Sequence, residues 1–462
     1  MAIFGVAKCG HPFPYYLYPV YTHIMADIIE PRLLKGFRDF LPQAQAGRQA
    51  MVEKLEGVFR LYGFAPVDTP ALEYAQILLG KGEGETEKQI YRFADNGGRD
   101  VALRFDLTVP FARFVAQHYG ELSFPFKRYQ IGKVWRGENA QRGRYREFTQ
   151  CDFDIIGADS AAADFEILMI IRAAMESLGA GAAKVKISHR GLFNRFLARL
   201  GLQDASAGIL RAVDKAAKTG AAATGEALAE IAGDEAAGKI LDFTGCTGKS
   251  PNEPFAEALG RMTDLAGGPC PEAARLEMIM AFAGDCGAAQ SFVLDPSITR
   301  GLDYYTGVVF ETFLDSDPAI GSVCSGGRYG DLAGLYTKNP VSGVGASVGL
   351  DRLIAALENS GRLPQVTGSA ALAVACLKEE DSGLYQVLAD RLRALGISCE
   401  VFVQACENPV KQFVLAEKKG IKWVLLPGER PLEDAFTLRN LAKRKNTEGL
   451  CVAEAAKLVL GE

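Results

Sequence analysis

Two stretches in which every second residue is polar or aromatic flank an Arg-rich turn between residues 127 and 157. The residues that share one phase of this alternation are Arg128, Gln130 and Arg136 on the first stretch and Arg146, Phe148, Gln150, Asp152 and Asp154 on the second. Because successive strand residues point to opposite faces, the pattern predicts an antiparallel strand pair with these side chains on one face. We interpret that face as exposed and able to grip an anionic, ring-bearing ligand, because unpaired charge is costly to bury.

The apolar spacing around this pair predicts further helices and strands. The elements expected before residue 190 are a helix over 43–62, strands over 64–69 and 99–108, a helix to about 118, a helix over 164–178 and a strand over 184–188. The alternation in 99–108 places Arg104, Asp106 and Thr108 on one face. Residues from about 193 to 285 are Ala-rich with helical spacing and Gly breaks, which predicts a helical insertion.

Short strands are expected again after this insertion. They cover 291–295, 308–314 and 342–349, and a helix begins near Leu350. Residues 365–369 read as a linker. Beyond it, apolar runs at 370–376, 399–403 and 423–426 alternate with helical stretches, which predicts a small three-layer α/β domain with a largely parallel sheet.

Length and charge limit the class of protein. A chain of 462 residues suggests two or three domains, and 48% hydrophobic with 23% charged residues is typical of a soluble globular protein. No apolar run reaches the roughly 18 residues of a membrane helix, so no membrane association is expected. A net charge of −5 argues against indiscriminate coating of nucleic acid. A local basic cluster suits a phosphate backbone, although the same charges fit a solvated helix face; its members are Lys418, Lys419, Lys422, Lys443, Arg444 and Lys445.

The cysteines and the first residues bear on location. None of the ten Cys forms a CxxC pair and there are only four His, which argues against a zinc site, and we expect no metal-ligating residues. Scattered cysteines without a signal peptide fit a reducing cytoplasm. Residues 1–24 are rich in aromatic residues and Pro and show neither helical nor strand periodicity. We therefore expect them to be a disordered or artefactual extension, with translation beginning at Met25. The intact mass of the native protein tests this.

Segments that combine Arg, acidic residues and Gly carry the candidate chemistry. Besides the strand pair, they are LRFDLTVPFAR (103–113), TRGLDYYTGVVFE (299–311), CSGGRYGDLAG (324–334) and GVGASVGLDRL (343–353). Gly-rich turns permit close backbone approach to a ligand. Gly326, Gly327 and the glycines of 343–349 also fit ordinary turns.

Together these segments resemble the class II aminoacyl-tRNA synthetases and, within that class, the histidyl-tRNA synthetase family. KGFRDFLP (35–42), with the helix and strand that end at Pro70, resembles the class's first motif, the strand pair the second, and GASVGLDRL (345–353) the third. RGLDYYTG (300–307) and SGGRYGDLAG (325–334) resemble signatures of the histidine enzyme. The resemblance runs from about Lys35 to the end of the chain. The segments CDFDIIG and RFDLTVPFAR resemble the eukaryotic-type branch of the family more than the commonest bacterial branch.

The resemblance implies an α+β fold. A mostly antiparallel six-stranded sheet flanked by helices would form the catalytic domain over 25–364, with the helical insertion near 193–285. An α/β anticodon-binding domain would occupy 370–462. A homodimer is also implied, since the first motif builds the dimer interface in this class.

The implied reaction is histidine–tRNA ligation. L-Histidine and ATP, with Mg²⁺, give histidyl-adenylate and pyrophosphate, and histidine then passes to the 3′ end of tRNA(His). The attacking carboxylate is already ionised at neutral pH, so the chemistry calls for positioning and charge neutralisation by Arg and Mg²⁺. Planar guanidinium groups suit bidentate phosphate and carboxylate contacts.

The nucleotide roles implied by the resemblance fall on six residues. Arg136 would contact the α-phosphate and the substrate carboxylate, and Arg300 would neutralise charge at the α-phosphate; we take these two as catalytic. The others are Glu138 on the adenine amino group, Phe148 stacked on the ring, Arg352 on the other ring face or the γ-phosphate, and Arg144 on the outer phosphates.

The histidine roles implied by the resemblance involve a second set. Asp106 and Thr108 would hold the α-amino group, and Gln150 the carboxylate or amino end. Asp154, Tyr305 and Tyr329 would read the ring, and Arg300 completes the histidine-binding set. Many bacterial relatives place Glu where this chain has Asp106 and Asp154. We interpret Tyr304 as a core aromatic and His118 and His189 as structural or surface residues.

Three other functions compete with this interpretation. A non-catalytic regulatory paralogue of ATP phosphoribosyltransferase would keep the catalytic fold, but such proteins usually lack the C-terminal domain and lose the arginines. Here Arg136, Arg300 and Arg352 are present. A class II synthetase for another amino acid conflicts with the two histidine signatures, and a plain nucleotide-binding module leaves 370–462 unexplained.

Overall fold

Three β-sheets and the helices packed on them form the part of the chain that this computed structural model describes. The described residues are 29–80, 89–247, 253–298, 305–330, 333–337, 341–363, 368, 370–433 and 435–461. They belong to two units, Met1–Lys35 and Gly36–Glu462. In the first unit, residues 29–34 have no regular secondary structure. The extension expected over 1–24 lies outside the described residues.

Among the described residues, the second unit contains all the regular elements. Its strands are β1 Ala65–Pro66, β2 Leu72–Tyr74, β3 Arg92–Ala94, β4 Asp100–Leu103, β5 Phe126–Trp135, β6 Glu147–Ile156, β7 Ala183–His189, β8 Phe292–Leu294, β9 Tyr305–Leu314, β10 Cys324–Tyr329, β11 Gly343–Gly349, β12 Leu372–Val374, β13 Cys399–Val401, β14 Trp423–Leu426, β15 Phe436–Asn440 and β16 Lys445–Leu450. Its helices are α1 Pro42–Leu61, α2 Ala75–Leu79, α3 Thr108–Gln117, α4 Ala161–Ser177, α5 Arg190–Arg199, α6 Ser206–Thr219, α7 Ala221–Ala232, α8 Asp234–Thr244, α9 Phe255–Leu265, α10 Pro271–Asp285, α11 Leu350–Asn359, α12 Ser382–Arg393, α13 Pro409–Lys418 and α14 Val452–Leu460.

The largest sheet has the strand order β1-β5-β6-β11-β10-β9-β7-β8. Its six middle strands pair antiparallel with their neighbours. The two short edge strands, β1 and β8, pair in parallel. The expected antiparallel sheet is therefore confirmed, and the two edge strands widen it beyond the six predicted. A separate small sheet has the order β2-β4-β3.

The apolar face of β5 and β6 packs against α1. The Phe59 ring centroid lies 5.3 Å from that of Tyr129 and 5.0 Å from that of Phe153. Tyr129 and Phe153 have the opposite phase to the polar residues of these strands. Packing α1 on this side therefore turns the polar phase to the other side of the sheet.

The strand predicted over 99–108 is too long. β4 ends at Leu103, and α3 begins at Thr108. Arg104 turns away and donates to the carbonyl oxygens of Thr69 at 2.6 Å and Lys133 at 2.9 Å. Arg104, Asp106 and Thr108 consequently do not share a strand face. The buried carbonyl oxygens of Thr69 and Lys133 need hydrogen-bond donors. That requirement, rather than the alternation of polar and apolar residues, fixes the direction of the Arg104 side chain.

Three glycines that also fitted ordinary turns are strand residues. A Cβ at Gly345 would lie 1.9 Å from Oδ1 of Asp154, and one at Gly343 would lie 2.5 Å from the Tyr329 ring. A Cβ at Gly326 would lie 2.2 Å from the Gly345 carbonyl oxygen. These positions lack side chains because groups from neighbouring strands occupy the space.

The chain after β7 consists of a run of helices, further strands of the large sheet and a second sheet near its C-terminus. Helices α5 to α10 cover the expected insertion and share the apolar core of the large sheet. The C-terminal sheet has the order β13-β12-β14-β15-β16, and its first three strands are parallel. The antiparallel hairpin β15–β16 was not predicted. Its turn contains Arg444 at φ 51°, within the basic cluster. No helix in the described ranges combines the length and apolarity needed to span a bilayer.

A buried ion network ties the insertion to the sheet. Asp164 on α4 is inaccessible to solvent and accepts from Nε of Arg328 on β10 at 2.7 Å and Nε of Arg275 on α10 at 2.6 Å. Gly307 makes room for Arg328, because a Cβ added at position 307 would lie only 3.0 Å from the Cβ of Arg328. Burial raises the pKa of Asp164, and Arg328 opposes that rise. One carboxylate thus holds together three elements that are distant in sequence.

We expect Asp164→Asn to lower the free energy of unfolding by about 3–5 kcal/mol, because it leaves the buried Arg328 with only the more distant and exposed Asp159, at 3.5 Å, as a counter-ion. Urea unfolding followed by Trp135 fluorescence in a Trp423→Phe background measures the catalytic part alone, since the chain has two tryptophans. Arg275→Met should cost less, because Arg328 keeps its partner. Equal stabilities of Asp164→Asn and the parent would contradict the role given to the network.

Candidate active site

An open cleft of about 690 Å³ lies over one end of the sheet's polar face. It is lined by Arg136, Glu138, Gly143, Arg144, Tyr145, Phe148, Gln150, Ser322, Val323, Cys324, Ser325, Ser347, Gly349, Asp351 and Arg352. All five residues assigned to ATP within the described ranges are among them. Arg300, the sixth nucleotide residue, lies outside the described residues, as does Tyr304.

Arg136 is held rigidly at the end of β5. Its backbone N–H donates to the Arg146 carbonyl at 2.8 Å, and its Nε donates to the Phe105 carbonyl at 2.9 Å. The guanidinium carbon lies 5.2 Å from the Phe148 ring centroid. With Nε engaged by the protein, the plane of the guanidinium is set before any anion arrives.

Glu138 lies between two arginines at the mouth of the cleft. Its carboxylate is 4.0 Å from Nη1 of Arg136 and 3.6 Å from Nη1 of Arg144. All three side chains are between a quarter and a third exposed. These distances are too long for strong hydrogen bonds, so a ligand can replace the contacts at small cost.

Asp351 anchors the other wall of the cleft. Its buried carboxylate accepts from Nη2 of Arg38 at 2.5 Å, from Nη1 of Arg48 at 2.6 Å and from the Thr149 N–H at 2.7 Å. The adjacent Arg352 donates to the Ser322 carbonyl at 2.6 Å. The first and third motifs therefore meet at one carboxylate. Sequence reasoning missed this contact; the only signal was Arg38 within KGFRDFLP.

The polar phase of β5 and β6 is confirmed, but the interpretation of that face as exposed is wrong. Arg128 has no exposed surface, and Asp152 and Asp154 are 2% and 4% exposed. Helix α3 covers them, with the Phe111 ring centroid 4.0 Å from the Arg128 guanidinium. Charge can be buried here because the face carries both signs. Arg128 Nη2 lies 2.7 Å from Asp154 Oδ2.

The predicted ring-reading residues cluster around Asp154. Its Oδ1 accepts from the Tyr329 hydroxyl at 3.1 Å, and Tyr305 lies directly opposite Tyr329 on β9. Burial raises the pKa of Asp154 while Arg128 lowers it, and burial beside Asp154 raises the pKa of Tyr329 well above its usual range. Tyr329 is therefore a hydrogen-bond donor at neutral pH.

Asp106 and Thr108 lie at the start of α3. Asp106 accepts from the Val109 N–H at 3.0 Å through Oδ1, and its buried Oδ2 has no hydrogen-bond partner. Burial raises the pKa of Asp106 to about 6. Thr108, the first residue of the helix, is also buried. The α3 N-terminus thus places a partly ionised carboxylate beside the β6 face.

Asp152 is a further buried carboxylate on that face, without a role in the predicted site. Burial raises its pKa to about 7, opposed by the charge of Arg128 and reinforced by that of Asp154. Its Oδ1 has no hydrogen-bond partner. The sequence signal was present, because Asp152 shares the phase of Gln150 and Asp154.

The side chains of two histidines form short-range hydrogen-bond contacts. His118 Nδ1 lies 3.0 Å from Glu121 Oε1 near the surface. His189 accepts from the Gly191 N–H at 3.1 Å, which caps α5, and burial lowers its pKa to about 4. Within the described ranges, no group of three His, Cys, Asp or Glu side chains is arranged to hold a metal ion.

A helix-flanked antiparallel sheet with arginines over its polar face, followed by an α/β domain, is the architecture of a class II aminoacyl-tRNA synthetase. Within that class the chain belongs to the histidyl-tRNA synthetase family, whose profile matches residues 36–353. The profile of an anticodon-binding domain matches residues 371–462.

Individual relatives agree with this family. The chain is 53% identical to a histidine–tRNA ligase of Treponema denticola over 402 residues, which cover 87% of this chain and 90% of the relative. It is 44% identical to the histidine–tRNA ligase of Rhodopirellula baltica, and the alignment covers 91% of this chain and 96% of the relative. The crystal structure of histidyl-tRNA synthetase from Nostoc sp. PCC 7120 superposes with a TM-score of 0.82 at 29% identity, covering 94% of this chain and all of that one.

The raised pKa of Asp152 makes stability depend on pH. Its folded value of about 7 exceeds the unfolded value of about 3.9, so between these the folded state holds more protons and stability falls as pH rises. We expect Asp152→Asn to raise the free energy of unfolding at pH 8 by on the order of 1 to 3 kcal/mol and to change it little at pH 4. Urea unfolding at both pH values measures this. A variant less stable than the parent at pH 8 would contradict it.

Proposed function

We propose that this protein is a histidine–tRNA ligase that forms histidyl-adenylate from L-histidine and ATP and then charges tRNA(His). One observation carries the proposal. One face of β6 carries Phe148 and Gln150, which line the arginine-rich cleft, and Asp154, which belongs to a buried acidic cluster with Asp106 and Asp152, called the acidic pocket below. A nucleotide and an amino acid bound in these two places would meet near Gln150. Family membership and the names of the relatives support this function over a regulatory paralogue, as does the matched anticodon-binding domain.

The cleft suits ATP. We assign the α-phosphate and the substrate carboxylate to Arg136, because its guanidinium is oriented in advance by the Phe105 carbonyl. Phe148 would stack on adenine with Arg352 on the other ring face or at the γ-phosphate. Glu138 would accept from the adenine amino group, and Arg144 would meet the outer phosphates. Neutralising the two reacting anions is the main electrostatic demand of the step.

We propose that Mg²⁺ enters on the phosphates of ATP. Mg²⁺ usually binds through substrate phosphates and one or two carboxylates, and it keeps several waters. Of the carboxylates that line the described cleft, Asp351 is already engaged by two arginines and an N–H, and Glu138 lies between two arginines. The donor set therefore favours an ion carried mainly by its nucleotide.

The acidic pocket suits histidine. We assign the imidazole to Asp154, Tyr305 and Tyr329, the α-amino group to Asp106 and Thr108, and the carboxylate or amino end to Gln150. Arg300 would reach both histidine and the α-phosphate. Buried polar groups that only a correct ligand can pair reject apolar amino acids strongly. No general base is needed, because the attacking carboxylate is ionised.

We also propose that the terminal 3′-hydroxyl of tRNA attacks the adenylate carbonyl, with the adenylate phosphate able to accept the proton. The C-terminal domain would bind the anticodon, and the enzyme would act in the cytoplasm. We further propose a homodimer. Sedimentation equilibrium should give twice the 49.7 kDa chain mass, and a monomer at assay concentrations would contradict this assignment.

ATP–pyrophosphate exchange, with each of the twenty amino acids tested separately, examines the proposed function. Exchange should require L-histidine. Exchange with a different amino acid would assign the chain to another substrate. Absence of exchange with all twenty, from a protein with a cooperative unfolding transition, would favour the regulatory paralogue.

Arg300→Ala should lower the rate of adenylation at least 100-fold, because a charge at the α-phosphate is lost in the transition state. Single-turnover adenylate formation measures the rate, and the melting temperature shows whether the fold is retained. Arg430→Ala, on the C-terminal domain, is the control that should leave adenylation unchanged. Normal exchange by a folded Arg300→Ala protein would remove Arg300 from the catalytic set.

A further inference from the structure

Asp152 lies between the two halves of the proposed site. On β6 it is two residues from Gln150, which lines the cleft, and two residues from Asp154 in the acidic pocket, on the same strand face. Its neighbours across the strands are Gln130 on β5 and Ser347 on β11. Ser347 also lines the cleft. Asp152 therefore lies between the residues proposed to bind the nucleotide and those proposed to bind the imidazole ring.

The atoms left unpaired around Asp152 are mostly acceptors. Oδ1 of Asp152, Oδ2 of Asp106, Oε1 of Gln130 and Oε1 of Gln150 are buried and have no hydrogen-bond partner. A buried acceptor without a donor costs free energy, so native structures leave few of them. Two of the four belong to carboxylates, which favours a cationic donor. An ammonium group offers three donors and a positive charge.

Neither nearby guanidinium group donates a hydrogen bond to Oδ1 of Asp152. Arg128 lies 2.7 Å from Asp154 and stacks on Phe111, and its own three nitrogens have no hydrogen-bond partner. Arg104 donates to two backbone carbonyls. Asp152 receives a hydrogen bond from Ser347, and its Oδ1 still lacks a donor. Oδ1 of Asp152 therefore receives no hydrogen bond from a charged side chain of the described residues.

We propose that Asp152 is a specificity residue that binds the α-ammonium group of the amino-acid substrate together with Asp106. This inference rests on the proposed function. Along one face of β6, Phe148, Gln150, Asp152 and Asp154 then contact adenine, carboxylate, ammonium and imidazole in turn. Alternate strand positions are about 6.5–7 Å apart, so the Gln150 and Asp152 side chains would approach the carboxylate and ammonium groups of one Cα from either side.

Ligands that differ only in the amino group test the proposal. Histamine keeps the amine and lacks the carboxylate, whereas imidazole-4-propionate keeps the carboxylate and lacks the amine. Asp152→Asn in the full chain should weaken binding of L-histidine and histamine by about 10- to 100-fold, the range for a charge-assisted hydrogen bond. Binding of imidazole-4-propionate should stay within about twofold of the parent. Calorimetric titration, or competition where binding is weak, gives the three dissociation constants.

The kinetic readout separates ligand contact from general damage. In exchange assays the KM for histidine should rise with Asp152→Asn while the KM for ATP stays unchanged. Asp242→Asn, which removes an exposed carboxylate from the insertion, should alter neither. Equal weakening of all three ligands would overturn the proposal in favour of a structural role, as would unchanged binding of histamine. Failure of the parent protein to bind L-histidine would instead refute the proposed function and this inference with it.

Discussion

Burying a charged strand face is the constraint on which the catalytic half of this protein depends. β6 has an apolar face that packs on α1 through Phe153 and a polar face that α3 closes over. The polar face can be buried only because Arg128 and Asp154 oppose each other across the β5–β6 pair at 2.7 Å. What this pair does not neutralise, chiefly the carboxyls of Asp106 and Asp152, keeps raised pKa values. The cost of that burial is the physical basis of a pocket that favours a cationic, donor-rich ligand.

Two further carboxylates connect this face to the rest of the chain. Asp351, at the start of α11, binds the segment before α1 through Arg38 and α1 itself through Arg48, so the wall that carries Arg352 is braced from the far end of the sequence. Asp164 joins α4, β10 and the insertion through Arg328 and Arg275. Both are buried and multiply hydrogen-bonded, which is the condition under which buried charge is tolerated. Arg328 precedes Tyr329, so this network lies next to a residue that we propose binds histidine.

Glycine has a specific use in the sheet. Gly343 and Gly345 leave the space that the Tyr329 ring and the Asp154 carboxylate occupy. The positions of these two groups, which we propose contact the imidazole ring, thus depend on what a neighbouring strand lacks. A side chain at either glycine would displace the Tyr329 ring or the Asp154 carboxylate.

The sequence alone determined the phase of β5 and β6, the long helices, the insertion and the α/β ending, because periodicity records which side of an element meets the core. The segments that resemble the family located the cleft residues Arg136, Glu138, Phe148 and Arg352 before any coordinates. Only the tertiary structure decided that the polar face is buried, since the cover comes from α3 and the compensating charge from the neighbouring strand. It also decided that β4 stops before Asp106, that Asp351 receives Arg38 and Arg48, and that β15 and β16 form a hairpin. The end of β4 and the contacts of Asp351 depend on partners distant in sequence, which the local pattern of a chain does not record, and the β15–β16 hairpin depends on how its strands pack on the rest of the sheet.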